Sequence, residues 1–154
     1  MTRAYASAVL DAPVETVWGL IRDFNALPAW HPVIARSEIE DGRAADAVGC
    51  VRRFWLQDGS MVRERLLSLD DRQTSFSYEF VTPAFPVQNY LARVRLAPVS
   101  STGQTFAEWE ATFDATPEEA DKYADIIANG VFRTGWEGLQ RLLAERRGTD
   151  DPTP

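Results

Sequence analysis

The groups in this chain that could do chemistry are a lone histidine, His31, and the charges and phenols on its strand-like segments. The densest cluster is a hairpin from Arg52 to Asp70. Two alternating runs, Val51–Leu56 and Met61–Leu69, flank Asp58-Gly59, a dipeptide that favours a two-residue type I′ turn. With that turn Leu56 faces Met61, Trp55 faces Val62, Arg53 faces Glu64 and Val51 faces Leu66. Side chains alternate along a strand, so Val51, Arg53, Trp55, Val62, Glu64 and Leu66 share one face. An Arg53–Glu64 pair set among Trp, Val and Leu reads as the polar tip of a cavity. The blander reading is an exposed pair on an ordinary hairpin, since most such pairs are surface decoration. Glu64 in an apolar site would be pushed up by desolvation and pulled down by Arg53, and the sequence does not rank the two.

His31 sits in Trp30-His31-Pro32, where the following proline moves it out of helical geometry. Two readings stay open. His31 is either a corner residue hydrogen-bonded to backbone, or an acid–base group or anion donor at a cavity mouth. Cys50 lies inside a strand pattern and reads as a small packed hydrophobe. One cysteine and one histidine make no metal site by any usual spacing.

The rest of the chain must position these groups. Its 154 residues suit one domain with a real core, taken as 1–147 and followed by a flexible tail, 148–154. A net charge of −7 argues against nucleic acid or an anionic membrane as partner. No apolar run approaches the roughly 20 residues of a membrane span. The N-terminus lacks a signal-peptide layout, so a cytoplasmic location is expected.

In chain order, residues 3–10 read as a strand ended by Asp11-Ala12-Pro13, and Val14, Val17, Trp18 and Ile21 recur at helical spacing. A short helix over 24–30 and a strand over 33–40 precede the hairpin. Strands follow over 74–81, 87–98 and 105–115, with the stiff loop Thr82-Pro83-Ala84-Phe85-Pro86 after the first. Phe76, Tyr78 and Phe80 share one face; so do Ala107, Trp109, Ala111 and Phe113. A long helix runs from about Pro117 to Arg146, with Thr116 as its expected N-cap. Its apolar line, Ala124, Ala128, Val131, Gly135, Leu139 and Leu142, starts small. Small residues there mean either close helix–sheet contact or an unfilled cavity. The order predicts an α+β fold in which a curved seven-stranded antiparallel sheet wraps a C-terminal helix.

This sequence resembles the helix-grip, START-like (SRPBCC) superfamily of the birch-pollen allergen, and within it the bacterial polyketide cyclase/dehydrase-like branch. The resemblance rests on Ala12-Pro13-Val14-Glu15-Thr16-Val17-Trp18, Trp30-His31-Pro32, Glu64-Arg65-Leu66, Leu69-Asp70-Asp71, Asn89-Tyr90 and the run Trp109 to Asp114. It spans roughly residues 3 to 146. The middle of the chain is similar to plant abscisic-acid receptors, which implies that Glu64, Tyr78, Phe80, Val87, Tyr90 and Trp109 line a ligand cavity. It also places His31 where those receptors have a lysine that meets the hormone's carboxylate. The receptors' Gly-Leu-Pro-Ala gate is replaced here by Gln57-Asp58-Gly59-Ser60, and their His-Arg-Leu latch by Phe85-Pro86-Val87. The resemblance therefore implies a hydrophobic-ligand cavity without the hormone-receptor switch.

Three functions fit. The first is a carrier or sensor of a small lipid-, polyketide- or isoprenoid-like molecule, working without cofactor or metal. Trp30, Trp55, Val62, Leu66 and Phe85 would add to the walls, with Ile127, Val131 and Gly135 contributed by the helix. The second is a cyclase or dehydratase in which His31, Arg53, Glu64 and Tyr90, with Tyr78, hold an enolate and move protons. The third is a non-enzymatic partner protein, or a homodimer, using the face that carries Arg52, Phe54, Leu56, Arg63, Arg65 and Leu67.

Overall fold

The computed structural model describes residues 1–150. Strand β1 (Thr2–Leu10) leads into helices α1 (Val14–Ile21) and α2 (Leu27–Trp30), and then into β2 (Ile34–Ile39). β3 (Val51–Leu56), β4 (Met61–Asp70), β5 (Ser75–Thr82), β6 (Gln88–Val99) and β7 (Gln104–Asp114) follow. The seven strands pair antiparallel in the order β1-β7-β6-β5-β4-β3-β2. The concave face buries Ala4, Val62, Leu66, Phe76, Tyr78, Ala92, Val94, Ala107, Trp109, Ala111 and Phe113 against the helices. The alanines let the C-terminal helix lie close over the β1–β7–β6 side. This is the helix-grip arrangement expected from the element order.

The β3–β4 hairpin departs from expectation by one residue. Arg52 pairs with Glu64, Arg53 with Arg63, Phe54 with Val62 and Trp55 with Met61. The loop has three residues, Gln57, Asp58 and Gly59. The Leu56 carbonyl accepts from Gly59 N–H, and Leu56 N–H donates to the Ser60 carbonyl. Gly59 takes φ +88°, so the turn is the bulged three-residue type and not the two-residue one. A one-residue slip exchanges the faces of a strand. Arg52, Phe54 and Leu56 therefore join Val62, Glu64 and Leu66 on the inside. Val51, Arg53 and Trp55 turn outward.

Outside, Arg53 opposes Arg63, a like-charge pair that would be destabilising alone. Glu40 lies between them, accepting from Arg53 Nε at 3.2 Å and from Arg63 Nε and Nη2 at 2.6 and 2.8 Å. Hydrogen bonding from Arg63 is the main reason the Glu40 carboxyl is held down, to about 2. A second irregularity sits in β6. Asn89 takes φ +55°, a region Asn tolerates, and donates from Nδ2 to Asp114 Oδ2 at 2.8 Å. The ladder shifts register between Gln88 and Leu91. The extra residue lets both Val87 and Tyr90 point inward.

The C-terminal helix begins later than expected, at Ala120, and no side chain caps it. The Thr116 carbonyl accepts from Glu119 and Ala120 N–H instead. It runs as α3 (Ala120–Asp125), a π-helical segment (Ile126–Arg133) and α4 (Thr134–Asp150). The tail expected from 148 is thus helical to Asp150, and residues 151–154 lie outside the described residues. The wider π turn rephases the helix, so its deepest residues are Ile127, Phe132, Trp136, Leu139 and Leu143. A uniform 100° per residue misses the five-residue step from Ile127 to Phe132.

The small residues of this helix divide by position. A Cβ on Gly135 would lie 2.8 Å from His31 Cδ2 and 2.8 Å from Trp109 Cζ3, and one on Gly138 would overlap the Trp30 carbonyl oxygen. At Gly130 a Cβ meets only Ile126 Cγ2, at 4.0 Å. Gly130→Ala should therefore raise stability by about 0.5–1 kcal/mol, the usual gain of alanine over glycine in a helix. Gly138→Ala should lower it by about 1–3 kcal/mol through overpacking against backbone that cannot move aside. Urea midpoints that shift the same way for both would contradict this division.

Candidate functional site

A cavity of about 230 Å³ lies between the concave face of β3–β7, the α2–β2 corner and the π segment. Its buried walls come from Leu27, Ile34, Phe54, Val62 and Trp109. Its rim is less buried: Val33, Leu56, Ala84, Phe85, Ile126, Gly130 and Val131. The polar groups inside belong to Arg52, Glu64, Tyr78, Tyr90 and His31.

Arg52 and Glu64 are 3% and 4% exposed, so neither charge is screened by bulk water. Both Arg52 nitrogens that reach Glu64 use one oxygen: Nε donates to Oε1 at 2.9 Å and Nη2 lies 2.7 Å from the same atom. Nη1 donates to the Phe24 carbonyl at 3.0 Å. The guanidinium carbon stands 3.8 Å from the Phe24 ring centre and 5.0 Å from that of Tyr78, which fixes its plane. Glu64 Oε2 has no hydrogen-bond partner among the described residues, and its side chain lines the cavity. Burial pushes the Glu64 carboxyl up, and the Arg52 charge pulls it only part of the way back.

Beside this pair the Tyr78 hydroxyl accepts from Trp109 Nε1 at 2.9 Å, and the Tyr90 hydroxyl lies next to it, where either phenol can donate to the other. Burial raises both phenols, so they remain protonated and act as donors. Tyr90 also stacks on Phe80, with ring centres 3.9 Å apart and planes inclined by 14°.

His31 is 2% exposed, and both ring nitrogens meet backbone. The Val131 carbonyl can only accept, so Nε2 carries the proton in its 2.7 Å contact. Val33 N–H donates to Nδ1 at 3.3 Å. A second proton would set Nδ1–H against Val33 N–H. Burial is the main reason the imidazole is depressed, to about 4, with Arg52 adding to the effect. His31 pins the α2–β2 corner to the π segment as a neutral group, with no nitrogen left for a ligand.

Of the residues expected at a site, the structure gathers His31, Val62, Glu64, Tyr78, Phe80, Phe85, Tyr90, Trp109 and Val131 around the cavity. Arg53 and Trp55 lie on the convex face, a correction that follows from the three-residue loop. There Arg53 meets Glu38 and Glu40, and Trp55 lies under the Arg36 guanidinium, 3.7 Å from its ring centre. Leu66, Val87 and Ile127 are buried but sit behind the walls. Trp30 stacks on Trp136 with planes 13° apart, and Gly135 packs on His31 and Trp109. The expected convex cluster also loses Arg52, Phe54 and Leu56 to the inside.

Arg52 was the consequential omission. The signal for it was Gln57 before Asp58-Gly59, which permits the bulged loop as readily as the two-residue turn. Gly130, the small residue without a close neighbour, marked the rim.

Among the described residues no helix is long and apolar enough to cross a membrane, and no group of three or more His, Cys, Asp or Glu is placed to hold a metal. Residues 1–144 match the family model described as polyketide cyclase/dehydrase and lipid transport. Among solved structures, the protein XoxI from Bacillus cereus is 30% identical, with TM-score 0.81 over 92% of this chain and 95% of that one. A Thermobifida fusca protein solved by NMR is also 30% identical, with TM-score 0.82 over 91% of each chain. The di-domain aromatase/cyclase BexL of the BE-7585A biosynthetic pathway shares the fold at 16% identity, with TM-score 0.77 over 92% of this chain and 46% of that one.

Two predictions test this geometry. Arg52→Met strands a buried carboxylate and should cost about 3–5 kcal/mol near neutral pH, whereas Arg52→Met/Glu64→Leu should recover most of that loss. Chemical denaturation of the two variants checks the contrast; equal losses would contradict it. For His31 the folded value, about 4, lies below the ordinary 6.5. The unfolded chain then binds a proton that the folded chain refuses, and stability falls as pH drops from 6.5 towards 4. The integrated loss is about 3 kcal/mol, at 1.36 kcal/mol per pH unit. His31→Gln should flatten that stretch of the urea-midpoint profile relative to the parent. A parallel profile would refute the assignment.

Proposed function

We propose, from the premise that the chain belongs to the polyketide cyclase/dehydrase and lipid-transport family, that it holds one small, mostly apolar molecule inside the sheet as a carrier or sensor. Family and fold support a ligand-binding or cyclase role in general. The observation that carries the finer reading is the free Glu64 Oε2 in a cavity walled mostly by apolar side chains. Small-molecule sites combine apolar walls with a few convergent polar groups that fix orientation, and this cavity has that composition. A buried ion pair adds little stability over apolar residues of the same size, so its presence favours a role towards a ligand. Carrying suits the site better than chemistry because the sole histidine is engaged at both nitrogens.

A cyclase or dehydratase is the second reading, favoured by one observation. Glu64, raised by burial, sits with two protonated phenols and could exchange a proton with a bound enol. Arg52 then takes the place at the site that the sequence had given to Arg53.

Native mass spectrometry of gently purified protein, repeated after denaturation, tests the carrier reading. A discrete added mass that denaturation removes is the expected result. An unladen mass, together with no saturable uptake of toluene by NMR, would overturn it. A bound compound that leaves lighter by one water would select the second reading.

A further inference from the structure

Resting on the small-molecule reading above, we infer that the ligand is a neutral one-ring alcohol or phenol whose hydroxyl sits between Glu64 Oε2 and the Tyr78–Tyr90 hydroxyl pair.

Size is the first constraint. The cavity is about 230 Å³. A cavity of about 150 Å³ takes up benzene, so this one encloses roughly nine or ten heavy atoms. Sites for drug-sized ligands begin near 300 Å³ and run to about 1,000 Å³. Four fused rings exceed the space, and a long acyl chain would have to leave it past the exposed rim residues Ala84 and Gly130.

Polarity is the second. Arg52 and Glu64 cancel each other, so the site carries no net charge to neutralise a ligand. A carboxylate ligand would face Glu64 Oε2, and an ammonium would enter beside the Arg52 guanidinium. Neutral donors escape both penalties. A carbonyl satisfies Glu64 only when Glu64 is protonated, whereas a hydroxyl both donates and accepts and fits either state. The two phenols add the complementary half. The Tyr78 oxygen accepts from Trp109 Nε1, and the Tyr90 hydroxyl lies beside it; either phenol can donate to the other, so one of their two protons has no acceptor among the described residues. A ligand hydroxyl can therefore donate to Glu64 Oε2 and accept from that phenol. Such a hydroxyl reproduces the bonds of any water it displaces, so the exchange is not penalised.

The test is a calorimetric and NMR titration with 4-ethylphenol, 4-ethylanisole, 4-ethylbenzoate, 4-ethylbenzylamine and 1-hydroxypyrene. Binding of 4-ethylphenol should be at least about tenfold tighter than that of its methyl ether, the usual size of a hydrogen bond to a charged group. The carboxylate and the amine should bind more weakly still, and the pyrenol not measurably. Arg52→Met/Glu64→Leu should bind phenol and ether alike, and Tyr78→Phe should narrow the gap if the double variant does not fold. Equal affinity for 4-ethylphenol and 4-ethylanisole would overturn the hydroxyl inference and leave the carrier reading standing. Tighter binding of 1-hydroxypyrene would overturn the size limit alone. No saturable binding by any compound would remove both the inference and the carrier reading.

Discussion

The structure turns on one ion pair, Arg52–Glu64, held inside the concave face of the sheet. Two charges that are nearly inaccessible to water must find all their compensation in the protein, and most of it is visible. Phe24 supplies a carbonyl and a ring face, Tyr78 supplies a second ring, and β3–β4 pairing places the two residues directly opposite. What remains uncompensated is Glu64 Oε2. Such a group costs free energy in a core and is useful where something else completes it. The surrounding architecture keeps that oxygen beside open space instead of collapsing on it.

The C-terminal helix maintains the space by changing character along its length. Over β1 and β7 it packs tightly: Phe132 stacks on Trp109 with ring centres 4.5 Å apart, and Trp136 donates to the Ala6 carbonyl at 3.1 Å. Gly135 allows this approach to Trp109, and Gly138 allows the helix to meet Trp30 and Pro32 at the α2–β2 corner, where any side chain would collide. Earlier, the π segment presents Ile126, Gly130 and Val131 to the cavity and offers the Val131 carbonyl to His31. A π turn widens the helix and frees carbonyls from their usual partners. Here the Val131 carbonyl, which also accepts from Thr134 N–H, anchors the corner that forms the opposite wall.

The element order, the sheet and the aromatic faces of β5 and β7 were legible in the sequence because alternation and helical spacing are local properties. Tyr78, Phe80 and Trp109 face inward as their strands alone require. The inward arginine was not legible in the same way. Arg52 and Arg53 sit on faces of similar character, Cys-Arg-Phe-Leu against Val-Arg-Trp, so patterning cannot choose between them. A single loop residue decides. Gln57 joins the turn instead of the ladder, and every β3 side chain changes face while β4 keeps its own. The helix failed for a related reason, since the π segment inserts an angular step that a constant period does not contain. Glu64 lies inward as its strand alone requires, and its partner is Arg52, one residue before the expected Arg53.

The corrected register changes the chemistry that the site can support. With Arg53 inside, Glu64 would have been paired from the neighbouring position; of the two readings open for His31, the structure shows the corner residue bonded to backbone. With Arg52 inside, the guanidinium is fixed by Phe24 and Glu64 together, and the imidazole is fixed by Val131 and Val33. Neither side chain can swing towards a ligand. The groups still free to act are a carboxylate oxygen and a phenolic proton, one accepting and one donating, and both are raised by burial. That set can orient a hydroxyl and exchange its proton. The scaffold thus immobilises its histidine and arginine and leaves one carboxylate oxygen without a protein partner beside a cavity of about 230 Å³.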